Sequence, residues 1–300
     1  MARAARQIRL SGIFPAAITP HHPKTREADY AGALELIDFL ASAGVDGICL
    51  FGSTGEFLNY SFPERQRLLS LAAKRSRVPL IAGVSHSTLS GALQLADDAI
   101  SAGADAIMLM PPYFFRYAQG EVEQFYRTFA RETSDAVPIL LYNIPGFTTG
   151  IEIETARRLF ETGRFAGIKD SSGDWSCFEQ LLALRRELPF ALFGGPELLV
   201  GRSLHAGADG IISGCACAVP ELVVAIARAI AAGDNTLGDA LDARLIEFAT
   251  RAAHFPWPVA VRRAVELRGQ KSGPPAVPLS PASQQALDEF SDWFRAWEAV

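Results

Sequence analysis

The amino-acid sequence predicts an α/β fold, a (β/α)₈ TIM barrel with a C-terminal helical appendage. Short apolar runs alternate with longer stretches of helical apolar spacing over most of the chain, as expected for buried strands and amphipathic helices. An internal repeat marks three junctions between a helix and a strand. Polar and glycine-rich residues directly follow the apolar runs, which is where a barrel of this type carries its active site.

The internal repeat consists of three similar octapeptides, AGVDGICL at 43–50, AGADAIML at 102–109 and AGADGIIS at 206–213. In each copy a glycine that can end a helix (Gly44, Gly103 or Gly207) precedes a short apolar run. A continuous apolar run is typical of a buried parallel strand. The repeat therefore predicts three helix–strand junctions of the same kind.

Eight apolar runs are interpreted as strands, at residues 14–18, 47–51, 80–83, 106–110, 139–142, 166–169, 191–194 and 210–213. Helical spacing fills the segments between them, among them residues 29–43, 62–75, 87–102 and 121–133. Ser61 with Glu64, and the segment Ser87-Thr-Leu-Ser90, are typical of helix N-termini. Eight strand–helix units favour a closed barrel over an open doubly wound sheet, and no G-x-G-x-x-G motif follows any of these strands.

The pattern changes after about residue 232, where helices continue without strands. Predicted helices lie at 235–253, 259–268 and 283–299. Pro256 and Pro258 interrupt this region, as does the loop at 271–281. We therefore predict a catalytic barrel at residues 1–232 and a C-terminal helical extension at 233–300.

Composition excludes several classes of protein. Of the 300 residues, 49% are hydrophobic and 20% are charged, which suffices for a large core and argues against disorder. The net charge of −5, without a basic stripe, makes nucleic acid and anionic membrane poor partners. No apolar run approaches the length that spans a bilayer.

The N-terminal segment and the cysteines predict a cytoplasmic location. The start, MARAARQIRLSGIFPA, has three arginines but lacks the apolar region of a secretion signal. Cys49, Cys177, Cys215 and Cys217 contain only one close pair, a C-x-C, which is neither a redox C-x-x-C nor half of a usual zinc framework. We expect free thiols in a reducing compartment.

Lys169 is the strongest candidate for a catalytic residue, because it ends the apolar run that begins at Phe165. Burial in an apolar pocket disfavours the ammonium form of a lysine, and the neutral amine can attack a ketone to form an imine. A structural alternative is an ion pair with a carboxylate at the strand end, such as that of Asp170.

Two further strand ends carry polar groups. Gly52-Ser-Thr-Gly-Glu56 offers the hydroxyls of Ser53 and Thr54 and several backbone N–H groups, which suits a small carboxylate, although an ordinary capped turn has the same composition. Tyr142 could shuttle protons during imine formation or simply cap the core.

Metal catalysis is not expected, because His86 is the only strong histidine candidate at that face apart from the loop pair His21 and His22.

Together these motifs resemble the dihydrodipicolinate synthase / N-acetylneuraminate lyase superfamily, over residues 13–230 and in the order that a barrel requires. The matching segments are Gly52-Ser-Thr-Gly-Glu-Phe57, Pro111-Pro-Tyr113, Tyr142-Asn-Ile-Pro145, Gly167-Ile-Lys-Asp-Ser-Ser-Gly173 and Gly207-Ala-Asp-Gly-Ile-Ile-Ser213. The helical tail also resembles the C-terminal helices of that superfamily.

The resemblance implies a class I aldolase in which Lys169 forms a Schiff base with pyruvate. It further implies that Ser53 and Thr54 hold the pyruvate carboxylate, that Tyr142 acts as the acid/base group, and that Gly195 and Ile212 line the pyruvate pocket through main-chain atoms. No cofactor is implied, because the covalent imine at Lys169 itself acts as the electron sink. The family is usually a homotetramer, a dimer of tight dimers.

Two departures from the synthase pattern bear on the substrate. Phe147 stands where the synthases typically carry an arginine for a second carboxylate, and a phenyl ring cannot make that charge-assisted contact. The synthases carry a pair of tyrosines here, and the hydroxyl of the second one relays protons. In this chain the pair is Tyr113-Phe114, so that hydroxyl is missing unless Tyr113 or Tyr117 replaces it. Phe114 remains a candidate for the subunit interface. The polar cluster of the sialic-acid lyases is partly met by Glu197, with Thr148 and Thr149 as further candidates.

The leading hypothesis is therefore a Schiff-base lyase, an aldolase or hydro-lyase, acting on pyruvate or a 2-keto-3-deoxy sugar acid. The first alternative is 4-hydroxy-tetrahydrodipicolinate synthase, with Arg116 replacing the missing arginine. An alternative of another class is a non-catalytic relative that binds small acids. The acceptor, the stereochemistry, the choice between aldolase and dehydratase, and dimer against tetramer stay open at this point.

Overall fold

The structure is a computed structural model that describes residues 8–299, and eight parallel strands form its centre. The strands are β1 Gly12–Pro15, β2 Ile48–Leu50, β3 Leu80–Gly83, β4 Ala106–Leu109, β5 Ile139–Asn143, β6 Phe165–Asp170, β7 Ala191–Gly194 and β8 Gly210–Ser213. Each pairs in parallel with its neighbours in the order β1-β8-β7-β6-β5-β4-β3-β2. All eight predicted strands are thus confirmed, most of them to within one residue at each end.

The two outer members of that order, β1 and β2, meet just past the end of β1. Ala16 bridges to Cys49 in parallel, and the N–H of Ala17 donates to the C=O of Cys49 at 2.9 Å. This contact joins β1 to β2 and brings the sheet round into a barrel. The predicted TIM barrel is confirmed, because a helix follows each strand and the sheet returns on itself.

The helices enclose the barrel and continue beyond it. Those of the barrel are α1 Tyr30–Ser42, α2 Phe62–Arg75, α3 Leu89–Ala102, α4 Gln119–Glu132, α5 Ile153–Phe160, α6 Trp175–Leu184, α7 Val200–His205 and α8 Pro220–Ala231. Those of the extension are α9 Asn235–Ala252, α10 Val259–Leu267 and α11 Pro281–Glu298. None of the helices in the described part of the chain is long and apolar enough to cross a membrane.

The junctions predicted by the internal repeat are confirmed. Gly44, Gly103 and Gly207 have φ angles of 80°, 95° and 95°, the left-handed conformation that ends a helix and that glycine adopts at little cost. The start of α2 also follows the prediction, because Ser61 and Glu64 form a reciprocal capping box. These local signals set where each helix stops and the next strand begins.

The first strand is the least accurate prediction. It was expected at 14–18, but β1 spans Gly12–Pro15, where it pairs with β8 residue by residue. Residues 16–18 are apolar and fully buried all the same, as part of the loop that leaves the barrel. An apolar run reports burial, and burial alone does not separate a strand end from a buried loop.

The extension packs through aromatic side chains. Phe248 of α9 lies 5.5 Å from Phe294 of α11 and 5.7 Å from Trp297, between ring centroids. The division at residue 232 stays a prediction, and it falls between the end of α8 at Ala231 and the start of α9 at Asn235. Residues 1–7 and 300 of the two predicted segments lie outside the described residues.

Candidate active site

Lys169 and Tyr142 face each other at the carboxyl ends of two neighbouring strands. The register of β5 and β6 pairs Tyr142 with Lys169 directly. Paired residues of adjacent strands point to the same face of a sheet, so both side chains enter the barrel mouth. The amine Nζ of Lys169 lies 3.4 Å from the phenol oxygen of Tyr142, and the two residues are 4% and 1% exposed.

The alternative of an ion pair between Lys169 and Asp170 does not occur. Strand alternation turns Asp170 to the opposite face, where its carboxylate accepts from Asn143 Nδ2 at 2.7 Å and from Ser172 Oγ at 2.9 Å. Burial raises the pKa of Asp170, and these hydrogen bonds offset part of the rise. The amine of Lys169 is therefore left to face the cavity beside a phenol.

The turn between β2 and α2 supplies two hydroxyls to the same place. Ser53 Oγ lies 3.1 Å from the Tyr142 hydroxyl, which links Ser53, Tyr142 and Lys169 in one chain of polar atoms. Thr54 is 3% exposed, and its Oγ1 accepts a hydrogen bond from the indole N–H of Trp257 at 3.3 Å. The turn is tight, with Phe51 and Glu56 both in the left-handed region at φ 57° and 48°.

These groups line one cavity of about 210 Å³ at the carboxyl ends of the strands. Its lining residues are Ser53, Thr54, Tyr142, Ile144, Phe147, Lys169, Ser171, Gly195, Pro196, Glu197, Gly214 and Trp257. A small carbonyl compound in this cavity would meet an amine, a phenol, three hydroxyls and a carboxylate. That equipment suits covalent chemistry on a small oxo acid.

Glu197 forms the acidic corner of the cavity. Ser213 Oγ donates to one carboxylate oxygen at 2.5 Å, and the N–H of Gly214 donates to the other at 2.7 Å. Burial raises the pKa of Glu197, while the hydrogen bonds from Ser213, Cys215 and Gly214 and the charge of Lys169 oppose that rise. A raised pKa makes this carboxylate a better proton acceptor than an ordinary glutamate.

Gly195 is a glycine for a steric reason. A Cβ at this position would lie 2.0 Å from Ser171 Oγ and 2.8 Å from the carbonyl oxygen of Asp170. The N–H of Gly195 donates to that same carbonyl at 2.8 Å. Only a residue without a side chain can bring its backbone this close to the end of β6.

A second cavity of about 370 Å³ adjoins the first, and both are lined by Ser53 and Phe147. Its walls are mostly apolar and include Phe57, Leu58, Met110, Tyr113 and Phe114. Phe114 is 87% exposed and has φ 86°, a conformation that a bulky residue adopts only under strain.

Seven of the sequence-predicted site residues come together around the first cavity, namely Lys169, Tyr142, Ser53, Thr54, Gly195, Phe147 and Glu197. Tyr113 and Phe114 lie in the second cavity instead. Ile212 is fully buried within β8 and does not line either. Thr148 is buried and bridges to Tyr113, outside both linings.

Sequence reasoning missed five residues of the cavity wall, namely Ile144, Ser171, Pro196, Gly214 and Trp257. Ser171 and Gly214 directly follow strands β6 and β8, so the rule that locates Lys169 could have found them. Trp257 belongs to the loop between α9 and α10 in the extension. No local pattern links a tryptophan there to the barrel mouth.

The histidines are not grouped as metal ligands. His86 Nδ1 lies 2.9 Å from Thr88 Oγ1, and its ring packs edge-on against Phe62. His21 contacts the Tyr60 hydroxyl and the Pro274 carbonyl, and burial and Arg262 lower its pKa. Among residues 8–299, no three His, Cys, Asp or Glu side chains are placed to share one ion.

Comparison with known proteins gives a consistent result. A model of the family described as the dihydrodipicolinate synthetase family matches residues 9–296. The 4-hydroxy-tetrahydrodipicolinate synthase of Methanothrix thermoacetophila is 31% identical over 283 residues, covering 94% of this chain and 95% of that protein. The enzyme of the same name from Methanopyrus kandleri is 33% identical over 287 residues, covering 93% of each.

Solved structures agree with the sequence comparisons. The crystal structure of dihydrodipicolinate synthase from Aquifex aeolicus superposes with a TM-score of 0.87 at 25% sequence identity. The match covers 96% of this chain and 98% of that one, so it includes both the barrel and the helical extension.

Proposed function

The chain belongs to the dihydrodipicolinate synthetase family and is a class I aldolase-type lyase, and we propose that it acts on pyruvate or a 2-keto-3-deoxy sugar acid through a Schiff base at Lys169. One observation carries this proposal. The amine of Lys169 is 4% exposed, ends in a cavity, and has a phenol at 3.4 Å with no carboxylate paired to it among residues 8–299. An amine in that setting can act as a nucleophile.

Imine formation moves two protons from the nitrogen of Lys169 to the C2 oxygen of the oxo acid. The neutral amine of Lys169 attacks C2, and the C2 oxygen takes up both N–H protons and leaves as water. The Tyr142 hydroxyl is within reach of Lys169 Nζ at 3.4 Å and can relay each of these protons. Ser53 Oγ, 3.1 Å from the Tyr142 hydroxyl, is the next member of the proton chain.

The carboxylate of the oxo acid is assigned to the turn that carries Ser53 and Thr54. Both residues line the cavity beside Lys169, and each offers a hydroxyl. Hydrogen bonds to a carboxylate are charge-assisted and strong, so two such donors fix the C1–C2 axis of the substrate against the amine. Gly195 lines the same cavity.

The imine then acts as an electron sink for the lyase step. In cleavage, the C3–C4 bond breaks, its electron pair becomes the enamine, and the C4 hydroxyl loses its proton as the aldehyde departs. In dehydration, a base removes a C3 proton and the C4 hydroxyl leaves as water. Glu197, whose pKa burial raises, lies in the same cavity and is the proposed base for either proton transfer.

The cavity wall favours a substrate whose acceptor part is uncharged over one that brings a second carboxylate. Phe147 lines the cavity at the position where the synthases carry an arginine, and its ring is 56% exposed. Apart from Lys169, none of the residues that line this cavity is basic. A second carboxylate would therefore be desolvated without a partner charge.

A second candidate function is the 4-hydroxy-tetrahydrodipicolinate synthase reaction, which condenses pyruvate with aspartate semialdehyde. The names of the relatives favour it. So does the position of Arg116, whose Nη1 donates to the Pro145 carbonyl at 3.0 Å, on the loop that carries Phe147. In this second candidate function, Arg116 would supply the positive charge that Phe147 lacks.

We also propose a homotetramer of the kind usual in this family, in the cytoplasm and without a metal or other cofactor. Phe114, Phe115 and Leu58 are 87%, 64% and 67% exposed at one side of the site, and an exposed apolar surface of this kind favours contact with a second copy. The four cysteines are free, which is in keeping with a reducing compartment.

The experiment that tests the Schiff base is intact-protein mass after incubation with pyruvate and borohydride. The chain has four lysines, Lys24, Lys74, Lys169 and Lys271, so few amines compete. We expect one reduced pyruvyl adduct on the parent, none on Lys169→Ala, and a normal adduct on Lys74→Ala, the matched control. A folded parent that forms no adduct would contradict the proposal.

A substrate comparison separates the two candidate functions. The enzyme is incubated with a 2-keto-3-deoxy sugar acid, and pyruvate release and dehydrated product are measured separately. In parallel it receives pyruvate with aspartate semialdehyde. Release of pyruvate identifies an aldolase, a dehydrated oxo acid identifies a hydro-lyase, and efficient consumption of aspartate semialdehyde alone would favour the synthase.

A further inference from the structure

Trp257 connects the helical extension to the catalytic cavity. It lies in the loop between α9 and α10, is 38% exposed, and lines the cavity that contains Lys169. Its indole N–H donates to Thr54 Oγ1 at 3.3 Å, across 203 positions of sequence. The extension therefore contributes a side chain to the site that the barrel strands do not supply.

The direction of this hydrogen bond matters for Thr54. An indole N–H can only donate, whereas a hydroxyl has one proton to donate and two lone pairs that accept. Thr54 Oγ1 must therefore accept from Trp257, and its own proton remains free. Among residues 8–299 no protein atom accepts that proton, so it is available to a ligand in the cavity.

The ring of Trp257 also forms part of the wall. A Cβ on Gly214 would lie 2.3 Å from Cζ2 of Trp257 and 2.8 Å from Thr54 Oγ1, so the indole lies against the bare backbone of Gly214. The N–H of Gly214 in turn donates to Glu197. One indole thus touches the turn that carries Thr54 and the backbone that holds Glu197.

The position of Trp257 is fixed from the extension side as well. Pro256 and Pro258 flank it, and their rings restrict the backbone on both sides. One turn further on, the buried Arg262 of α10 forms a part-buried ion pair with Glu56 at 2.6 Å, on the same turn as Thr54. Two separate contacts therefore join this part of the extension to the turn at residues 52–56.

We propose that Trp257 is a positioning residue that orients the Thr54 hydroxyl so that its proton is donated to the carboxylate of the oxo-acid substrate. The inference rests on the proposed function, because it takes the ligand to be an oxo acid bound at Lys169. Trp257 acts through Thr54 and takes no part in the proton transfers at C2.

The test measures how pyruvate concentration controls borohydride trapping. Trp257→Phe keeps an aromatic side chain but removes the N–H together with part of the indole ring that lies against Gly214, so a packing effect is separated in a second background. We expect the half-saturating pyruvate concentration to rise roughly three- to tenfold, the effect of one lost hydrogen bond. The trapped fraction at saturating pyruvate should not change, because Lys169 and Tyr142 are intact. Trp293→Phe, in α11 and away from the cavity, is the matched control.

The same substitution in a Thr54→Val background distinguishes orientation from packing. If Trp257 acts through the Thr54 hydroxyl, Trp257→Phe should change half-saturation less than about twofold once that hydroxyl is gone. An equal rise in both backgrounds, or no rise in either, would overturn the proposal while the parent adduct leaves the Schiff base standing. A folded parent without any adduct would overturn both.

Discussion

At the scale of single residues, the site depends on which side of a strand each group occupies. Lys169 and Asp170 are adjacent, yet the amine enters the cavity and the carboxylate is held on the other side by Asn143 and Ser172. Because successive side chains of a strand point to opposite faces, the nearest carboxylate in sequence cannot neutralise the amine. On the paired strand β5, Tyr142 likewise faces the cavity and Asn143 faces the opposite side.

The ionisation of Glu197 makes the free energy of unfolding depend on pH. Burial raises the pKa of Glu197 above its ordinary value of about 4.3, so the folded protein holds this proton to higher pH than the unfolded chain does. Its contribution to the free energy of unfolding is therefore most favourable below the ordinary pKa. The contribution declines as pH rises through the raised pKa, where the buried carboxylate ionises.

We predict that Glu197→Gln removes this pH dependence. Relative to the parent, the variant should gain in free energy of unfolding as pH rises above about 4.3, because an amide does not ionise. Urea unfolding of both proteins over a pH series measures the difference. Glu179→Gln, at an exposed position of α6, is the control and should follow the parent. A difference between parent and Glu197→Gln that does not change with pH would contradict the prediction.

At the scale of elements, contacts of Arg262 join helix α10 to the turn at residues 52–56. Arg262 is buried in α10 and donates to Glu56, to the carbonyls of Thr19 and Ser272, and to His21. Glu56 occupies the left-handed region at φ 48°, which a non-glycine residue adopts only when its surroundings require it. The extension therefore stabilises the geometry of the turn that presents Ser53 and Thr54.

We predict that Arg262→Met lowers the free energy of unfolding by about 3–5 kcal/mol, because it leaves the mostly buried carboxylate of Glu56 without its partner. The double variant Arg262→Met with Glu56→Gln should lose less than the sum of the two single losses, since no unpaired charge remains. Urea unfolding measures all three. Arg295→Met, which removes an exposed ion pair with Asp292 on α11, should have little effect. Equal losses for Arg262→Met and Arg295→Met would refute this account.

At the scale of the whole molecule, one side of the barrel mouth exposes aromatic surface. The rings of Phe114 and Phe115 stack edge-on at 4.9 Å, and both are mostly exposed. Phe114 also occupies the left-handed region at φ 86°. Contact of this exposed apolar surface with a second copy would remove it from water.

We predict that Phe114→Asp dissociates the proposed homotetramer. Sedimentation velocity of the parent should show a species of four chains, each of 32.4 kDa, whereas the variant should shift to smaller species because a charge cannot be buried in an apolar contact. Leu237→Asp, at an exposed apolar position of α9, is the control and should remain assembled. A parent that sediments as a single chain, or a Phe114→Asp variant that stays assembled, would contradict the assignment of this surface.

Much of the fold and part of the site follow from local patterns. The apolar runs predicted all eight strands, and the glycines that end helices predicted the junctions, because both depend on the residues of one segment. Lys169, Tyr142, Ser53 and Thr54 could be placed at one face because parallel strands end at the same side of a barrel. Resemblance of their motifs then indicated a family that the comparisons confirm.

Only the tertiary structure decided the contacts between distant segments. Trp257 reaches Thr54 across 203 positions, and Arg262 reaches Glu56 across 206, although nothing in either segment marks the other. The raised pKa of Glu197 likewise depends on what surrounds this residue in space. Periodicity and capping describe a residue's neighbours in sequence, whereas burial, electrostatics and the shape of a cavity are set by neighbours that folding brings together.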